Sequence, residues 1–594
     1  MNYFHPFVIP FCIGVILLFT ICAIKYFRWI RQLDRMQRAI VRRNIFTWRF
    51  LPAIKEAIVE SLFHRKLFKK NLLLGYMHCG IALGWFLLIV VGAIECELAV
   101  KEAKPLWTSI FFRYFVTDTH TFHHALFFTN LMDALLLWVL SSVLIAVIKR
   151  VWVRIVGIKK ATKHVIFDRF ALIALWLIFP LRLLSESLTA AVVHNGGFAT
   201  QALGNLIHPE IAAVFETTSW TLYSLALCTF FVAMPFSRYM HIFTEILLIY
   251  FRKLGVKENQ KSSGYTKIEL SACSRCGICI DGCPIHSELK INNIQSVYLL
   301  RDIRYKKLSC EVADNCLMCE RCVTDCPVGI ELTQIRRQKR NKGVIDTHDN
   351  YKYAANIKSF NAIGRVIYFA GCMTHLTPAI IEAMKTIFET SGQKYWFMDE
   401  DKTLCCGRPL IQQGFSNQAA ELRRLNSGLI TRSGATMLVT SCPICYRSFN
   451  QEYKLQIPVM HHTEYIQHLI KTGKLHVTNS TLTTAYHDPC ELGRGCGIYK
   501  APRQVLKSVS KPVKVTQAKA KSICCGHNLG DTVLEVNQQS AIRNAALANL
   551  AQHNPDIIVT ACPMCKKSMS HACDYQVKDI AEIVAMQLKR TILS

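Results

Sequence analysis

The sequence predicts a multidomain fold: an all-α transmembrane bundle of five helices, then a small α-helical cysteine-rich domain of the ferredoxin type, then a duplicated α/β domain. Three observations predict it. Five apolar stretches, each able to cross a bilayer at about 20 residues per span, fill the first 250 residues. Two compact cysteine runs follow, and a longer cysteine pattern then occurs twice. The predicted domains are residues 1–255, 256–345, 360–480 and 481–594.

At 594 residues the 26 cysteines do not fit a secreted disulfide scaffold, because such scaffolds are short. Ten of the cysteines fall in C-x-x-C patterns, which favour metal. A 51% hydrophobic composition points to a membrane part.

The apolar stretches lie near residues 7–27, 72–94, 122–148, 169–193 and 217–250. The first lacks a basic n-region and a small-residue cleavage site, so it reads as a retained span. Many of the basic residues behind the net charge of +29 lie in short segments beside the spans, where they set topology, and no base-reading motif accompanies them; nucleic acid is not an expected partner. Residues 28–71 carry Arg28, Arg31, Arg35, Arg42, Arg43, Lys66, Lys69 and Lys70, whereas residues 194–216 have no Lys or Arg. The positive-inside rule puts the N-terminus outside and everything after residue 250 in the cytoplasm, as expected of a multi-pass protein of the cytoplasmic (inner) membrane.

That orientation brings His78 of the second span and His241 of the fifth to matching depth near the inner face. Two imidazoles facing each other across a bundle suit the axial positions of a b-type haem. A polar residue in a helix interface is the plainer alternative. His120, His123, His124 and His194 collect near the outer ends of the spans, where they could bind a second haem, line a quinone pocket or face water. Glu186 is a candidate proton carrier or a partner for Arg182.

After Tyr250 the polar linker LGVKENQKSSGYTK leads into Cys273, Cys276, Cys279 and Cys283-Pro284, then Cys316, Cys319, Cys322 and Cys326-Pro327. This is the run of bacterial two-cluster ferredoxins, in which the fourth cysteine of each motif ligates the other cluster. One [4Fe-4S] cluster should use Cys273, Cys276, Cys279 and Cys326, the other Cys316, Cys319, Cys322 and Cys283. Their role is electron relay.

The duplicated pattern reads Cys372, Cys405-Cys406-Gly407 and Cys442-Pro443-Ile444-Cys445, then Cys490, Cys524-Cys525-Gly526 and Cys562-Pro563-Met564-Cys565. MLVTSCPICYRSF in one copy answers IIVTACPMCKKSM in the other, which marks an internal duplication. GRVIYFAGC, ATMLVTSC and DIIVTAC read as strands running into cysteines, and open α/β sheets place their ligands at strand C-termini. Five thiolates are one more than tetrahedral zinc or a cubane needs.

C-x(n)-CCG-x(n)-CPxC, present twice, and HDPCELGR at residues 487–494 resemble the cysteine-rich catalytic subunit of heterodisulfide reductase. The resemblance implies a noncubane [4Fe-4S] cluster on each five-cysteine set, and implies that these ten cysteines are catalytic. It also extends to iron–sulfur proteins that take electrons from electron-transferring flavoprotein. Spans two to five resemble the haem-b gamma subunit of respiratory nitrate reductase. That family commonly carries a second haem further out on the same helices; here Leu88 and Tyr223 hold those positions, so one haem is expected.

The expected function follows. A membrane-bound oxidoreductase moves electrons between the quinone pool and a cytoplasmic disulfide or thiol substrate. The alternative is an electron-transfer hub that passes electrons from a flavoprotein partner (electron-transferring flavoprotein or a 2-hydroxy-acid dehydrogenase) to menaquinone. Cys12, Cys22, Cys79, Cys96 and Cys228 behave as small apolar residues in or beside the spans.

Overall fold

Long runs of Leu, Ile, Val and Phe uninterrupted by charge give helices whose backbone polar groups are satisfied internally, as a bilayer demands. Among the described residues five helices are long and apolar enough to cross a membrane: Val8–Arg31, Leu72–Ala99, Ala125–Trp152, Ile166–Val193 and Pro209–Phe236. This computed structural model describes residues 3–118, 122–155, 164–258, 261–340, 365–402, 404–527, 534–570 and 572–588. It forms two units, Met1–Gly277 and Ile278–Ser594; His120 lies outside the described residues.

In the first unit, glycines let the spans close. A Cβ on Gly80 would lie 1.9 Å from Ser142 Oγ, and one on Gly84 2.5 Å from Val139 Cγ2. The second and third spans therefore meet through a small-residue face. Buried charges in the bundle are paired: Arg182 Nε donates to Glu186 Oε1 at 2.8 Å, and Arg113 Nη2 to Glu95 Oε1 at 3.2 Å.

The fifth span differs from expectation. Its α-helix runs Pro209–Ala233, passes through short 3-10 turns, and a separate helix begins at His241 and ends at Lys253. The cause is Pro235, which has no N–H to continue the helix and crowds the preceding turn. Ser237 is then extended, and its hydroxyl accepts from Tyr239 N. His241 thus opens the next helix rather than lying inside the fifth span.

The second unit carries two four-stranded parallel sheets. The first contains β1 (Val366–Phe369), β2 (Tyr395–Phe397), β3 (Met437–Thr440) and β4 (Val459–His461), in the order β2-β1-β3-β4. The second contains β5 (Thr483–Tyr486), β6 (Lys511–Pro512), β7 (Ile557–Thr560) and β8 (Gln576–Asp579), in the order β6-β5-β7-β8. Relative to their own numbering the two orders are identical, so the duplication seen in the cysteines extends to topology. Every residue of β1 and β7 is buried, as in parallel sheets covered on both faces.

The lobes pack reciprocally. The Cys372–His375 helix of the first meets the Pro563–Ser570 helix of the second, and the Cys490–Cys496 helix of the second meets the Pro443–Gln451 helix of the first. One apolar core spans both lobes and includes Ile387, Phe388, Ile466, Leu506, Ile580 and Val584.

Candidate metal centres

In each lobe the cysteines gather where strands end. Cys442 is extended (φ −102°, ψ 120°) because Pro443 follows, and that proline opens the next helix. Gly371, with φ +87°, leads into Cys372; a Cβ there would lie 2.7 Å from Cys445 Sγ and 3.3 Å from Cys442 Cβ. Only glycine lets this backbone press against the Cys-Pro-Ile-Cys turn.

The thiols form a row. In the first lobe Cys372 hydrogen-bonds Cys405, Cys405 bonds Cys406, Cys406 bonds Cys445, and Cys445 bonds Cys442. In the second the row is Cys490, Cys524, Cys525, Cys565 and Cys562. Hydrogen bonds from Cys405, then Cys445, hold the Cys406 thiol down at about 6; those from Cys524, then Cys565, hold Cys525 at about 5. Cys372 is exposed and Cys490 half-buried, while the other eight are buried. Among the described residues no three His, Cys, Asp or Glu side chains close on a single-ion site. A row of five soft donors fits a multi-iron centre better than one tetrahedral ion.

The backbone around each row is held by residues that sequence reasoning did not find. Asp399 accepts from Ala370 N at 2.8 Å and Gly371 N at 2.7 Å. Ser448 Oγ donates to the Cys406 carbonyl at 3.0 Å, and Ser568 Oγ to the Cys525 carbonyl at 2.9 Å. A signal was present, since both serines stand three residues after the last cysteine of their C-P-x-C. Gly371→Ala is expected to remove the first-lobe cluster signal in low-temperature EPR while leaving the second, because the new Cβ displaces Cys445 and strains a left-handed residue.

Between the lobes Glu491, next to Cys490, accepts from Arg447 Nη1 at 2.9 Å and from Arg408 Nη2 at 3.3 Å; Arg447 also pairs with Glu320 at 2.7 Å. Burial opposes ionisation of Glu491, but Arg408 and Arg447 outweigh it and hold the carboxyl at about 2. This contribution to stability is full above the ordinary value of 4.5 and is lost as pH falls toward 2. Glu491→Gln leaves two arginines short of a buried partner and should destabilise the unit by ~3 kcal/mol, read as a lowered Tm at neutral pH. Asp488 forms a two-point ion pair with Arg503 at 2.7 Å and accepts from Lys519 N at 2.7 Å, a structural role.

Of the ferredoxin-type cysteines, Cys283 and the trio Cys316, Cys319 and Cys322 line one cavity of ≈ 430 Å³ including its open mouth. Cys279 also lines it. Ser296 Oγ lies 3.3 Å from Cys322 Sγ and Met318 N 3.3 Å from Cys316 Sγ. Three thiols of one motif and the last thiol of the other facing one cavity is the donor set a crossed cubane needs. Cys326, before Pro327, is extended and ends the Arg321–Asp325 helix. Cys273 ends the Gly264–Ala272 helix and Cys276 is exposed, both in the first unit.

In the membrane bundle the structure places a third histidine that the sequence reading missed. The rings of His64 and His78 meet edge-to-face at 5.5 Å, and His241 lies within electrostatic reach of His78. His64 Nδ1 is 2.5 Å from Glu60 O and His241 Nδ1 is 2.8 Å from Arg238 O. A carbonyl at Nδ1 fixes the tautomer that presents Nε2 to a metal, which suits an axial ligand. Further out, Leu88 and Tyr223 are both buried, and the Tyr223 ring packs at 5.8 Å from Phe111 and 5.9 Å from Trp220. Outward of these, His194 caps the fourth span in a left-handed conformation (φ +57°). His123 and His124 precede the third helix, their rings 3.8 Å apart.

The CCG family of cysteine-rich domains matches residues 366–450 and 484–570, and a 4Fe-4S dicluster domain matches residues 269–330. Among characterised relatives, one subunit of the dihydromethanophenazine:CoB–CoM heterodisulfide reductase of Methanosarcina acetivorans is 26% identical over 387 residues, covering 54% of this chain and 94% of the relative. An EtfAB:quinone oxidoreductase of Syntrophomonas wolfei is 24% identical, covering 58% of this chain and 63% of the relative. One subunit of the fumarate reductase (CoM/CoB) of Methanothermobacter marburgensis is 22% identical, covering 56% and 78%. The chain therefore carries two CCG domains and a 4Fe-4S dicluster domain, and it is an iron–sulfur oxidoreductase with membrane helices.

Proposed function

We propose that this oxidoreductase, a homologue of a heterodisulfide reductase subunit, moves electrons between the quinone pool and a disulfide or thiol substrate at the cytoplasmic face. One haem b on His78 and His241, two [4Fe-4S] cubanes and two noncubane [4Fe-4S] clusters form the relay in this reading. The observation that carries it is the pair of complete five-cysteine rows on reciprocally packed lobes, one of them opening at an exposed Cys372. Reducing a disulfide takes two electrons, and two lobes that each carry a complete cysteine row can deliver one each. When bound, such clusters supply the electrons and a soft Lewis acid for the leaving thiolate. The protein's own part is to hold the thiols in a row, with Asp399, Ser448 and Ser568 fixing the backbone behind them.

A second reading has a specific observation behind it: one relative is named an EtfAB:quinone oxidoreductase. In that reading a flavoprotein, not a small disulfide, meets the lobes, and electrons run toward the quinone. The two separate in one experiment. Quinol-reduced, anaerobically purified protein is offered disulfides and then electron-transferring flavoprotein. Reoxidation of the clusters by a disulfide supports the first reading; reoxidation by the flavoprotein alone replaces it with the second.

A further inference from the structure

The two lobes are alike in topology and in cysteines but not in what touches them. The second-lobe thiols Cys524, Cys525, Cys562 and Cys565 share one apolar cluster with Cys319 and Leu317 of the ferredoxin-type segment. The first-lobe thiols Cys406, Cys442 and Cys445 sit in a separate cluster containing only residues of their own lobe.

One side chain spans the second-lobe junction. Arg494 lies four residues after Cys490 on the same short helix, so both project from one face. Its Nε donates to the Cys319 carbonyl at 2.6 Å and its Nη1 to the Ser522 carbonyl at 2.7 Å, two residues before Cys524. Its Nη2 is buried with no hydrogen-bond partner among the described residues. All its acceptors are neutral carbonyls, so its charge is left to the sulfur centres on either side. The corresponding first-lobe position, four residues after Cys372, is Leu376, which is 56% exposed.

We propose that Arg494 is the positioning residue through which the ferredoxin-type centre of Cys283, Cys316, Cys319 and Cys322 exchanges electrons with the second lobe, making the second lobe the relay side and the first lobe, with exposed Cys372, the partner side. The step is one electron: the centre on one side of Arg494 is oxidised and the other reduced, with no bond broken and no proton moved. A fixed cation between two centres favours the reduced form of each. Its hydrogen bonds to the Cys319 and Ser522 carbonyls also fix the distance between them. The inference rests on the cluster assignment made under Proposed function.

The test is an EPR-monitored redox titration of the full-length, anaerobically purified protein, after iron and sulfide have been counted. Cys442→Ser and Cys562→Ser assign the first- and second-lobe signals. In Arg494→Gln the ferredoxin-type and second-lobe centres are expected to become about tenfold harder to reduce, ~59 mV for one electron, while the first-lobe centre moves less than about twofold. Arg494→Lys keeps the charge and should return both to within about threefold of wild type. If the glutamine variant loses iron, the lysine variant carries the test: its first-lobe centre must move less than the other two. An iron-replete Arg494→Gln variant with no shift, or with an equal shift in the first lobe, overturns the inference alone. Wild-type protein without iron overturns the cluster assignment and this inference with it.

Discussion

Cys562→Ser is expected to abolish the second-lobe cluster signal, lower the iron content by one cluster and reduce quinol-driven turnover more than 100-fold, while the ferredoxin-type spectrum persists. The reason is local. Cys562 ends the row that begins at Cys490, and it is buried against Cys565. The hydroxyl that replaces the thiol is a hard donor and a poor ligand for iron in a sulfur-rich site. Serine is also close in size, so the Ile557–Thr560 strand and the Pro563–Ser570 helix should hold. Loss of both spectra together would mean that the lobe had unfolded, and would remove Cys562 from the ligand set.

Much of this architecture was legible because its signals are local. The strands before Cys372, Cys442 and Cys562 are short apolar runs, and the proline after Cys283, Cys326, Cys442 and Cys562 forces an extended cysteine whatever lies around it. The duplication was legible from cysteine spacing and reappears in sheet order. Features made by tertiary contact were not. Gly371 is read as special only when Cys445 is known to face it, and Asp399 acts across a loop from residues it holds in place. His241 reads as part of the fifth span because residues 217–250 are mostly apolar, and that apolarity hides the break at Pro235. His64 lay in a basic stretch that was read only for its charge.

The asymmetry between lobes also required the fold. In sequence the two copies differ little at the cysteines, and completeness of both sets argues for chemistry at each. In the structure the surroundings of the two rows differ. The second lobe shares its apolar cluster with the ferredoxin-type thiols, and the first opens Cys372 to solvent. A disulfide substrate needs both lobes within reach, whereas a docked flavoprotein needs only the open one. The effect of Cys562→Ser therefore bears on the partner as well as on the ligand: in the flavoprotein reading the first lobe should still accept electrons from the partner in a single turnover.

His241→Ala is expected to remove haem absorbance entirely and to slow reduction of the iron–sulfur centres by quinol more than 100-fold, with dithionite still reducing them fully. His78→Ala should do the same, and His64→Ala should not, if His78 and His241 are the axial pair. A spectrum lost with His64 and kept with His241 would reassign the ligand to the histidine whose ring meets His78 at 5.5 Å. The consequence reaches past the bundle. His241 Nδ1 bonds the Arg238 carbonyl, Arg238 N donates to Asp168 at 2.8 Å, and Asp168 is ion-paired with Arg275, which stands between Cys273 and Cys276. An unbroken polar chain thus joins the proposed haem ligand to the first cysteine motif. Asp168→Asn should leave haem content intact yet slow haem-to-cluster transfer, measured by stopped-flow. Placing histidine at both outer positions, as Leu88→His with Tyr223→His, should not add a second haem, because Phe111 and Trp220 already pack against the Tyr223 ring.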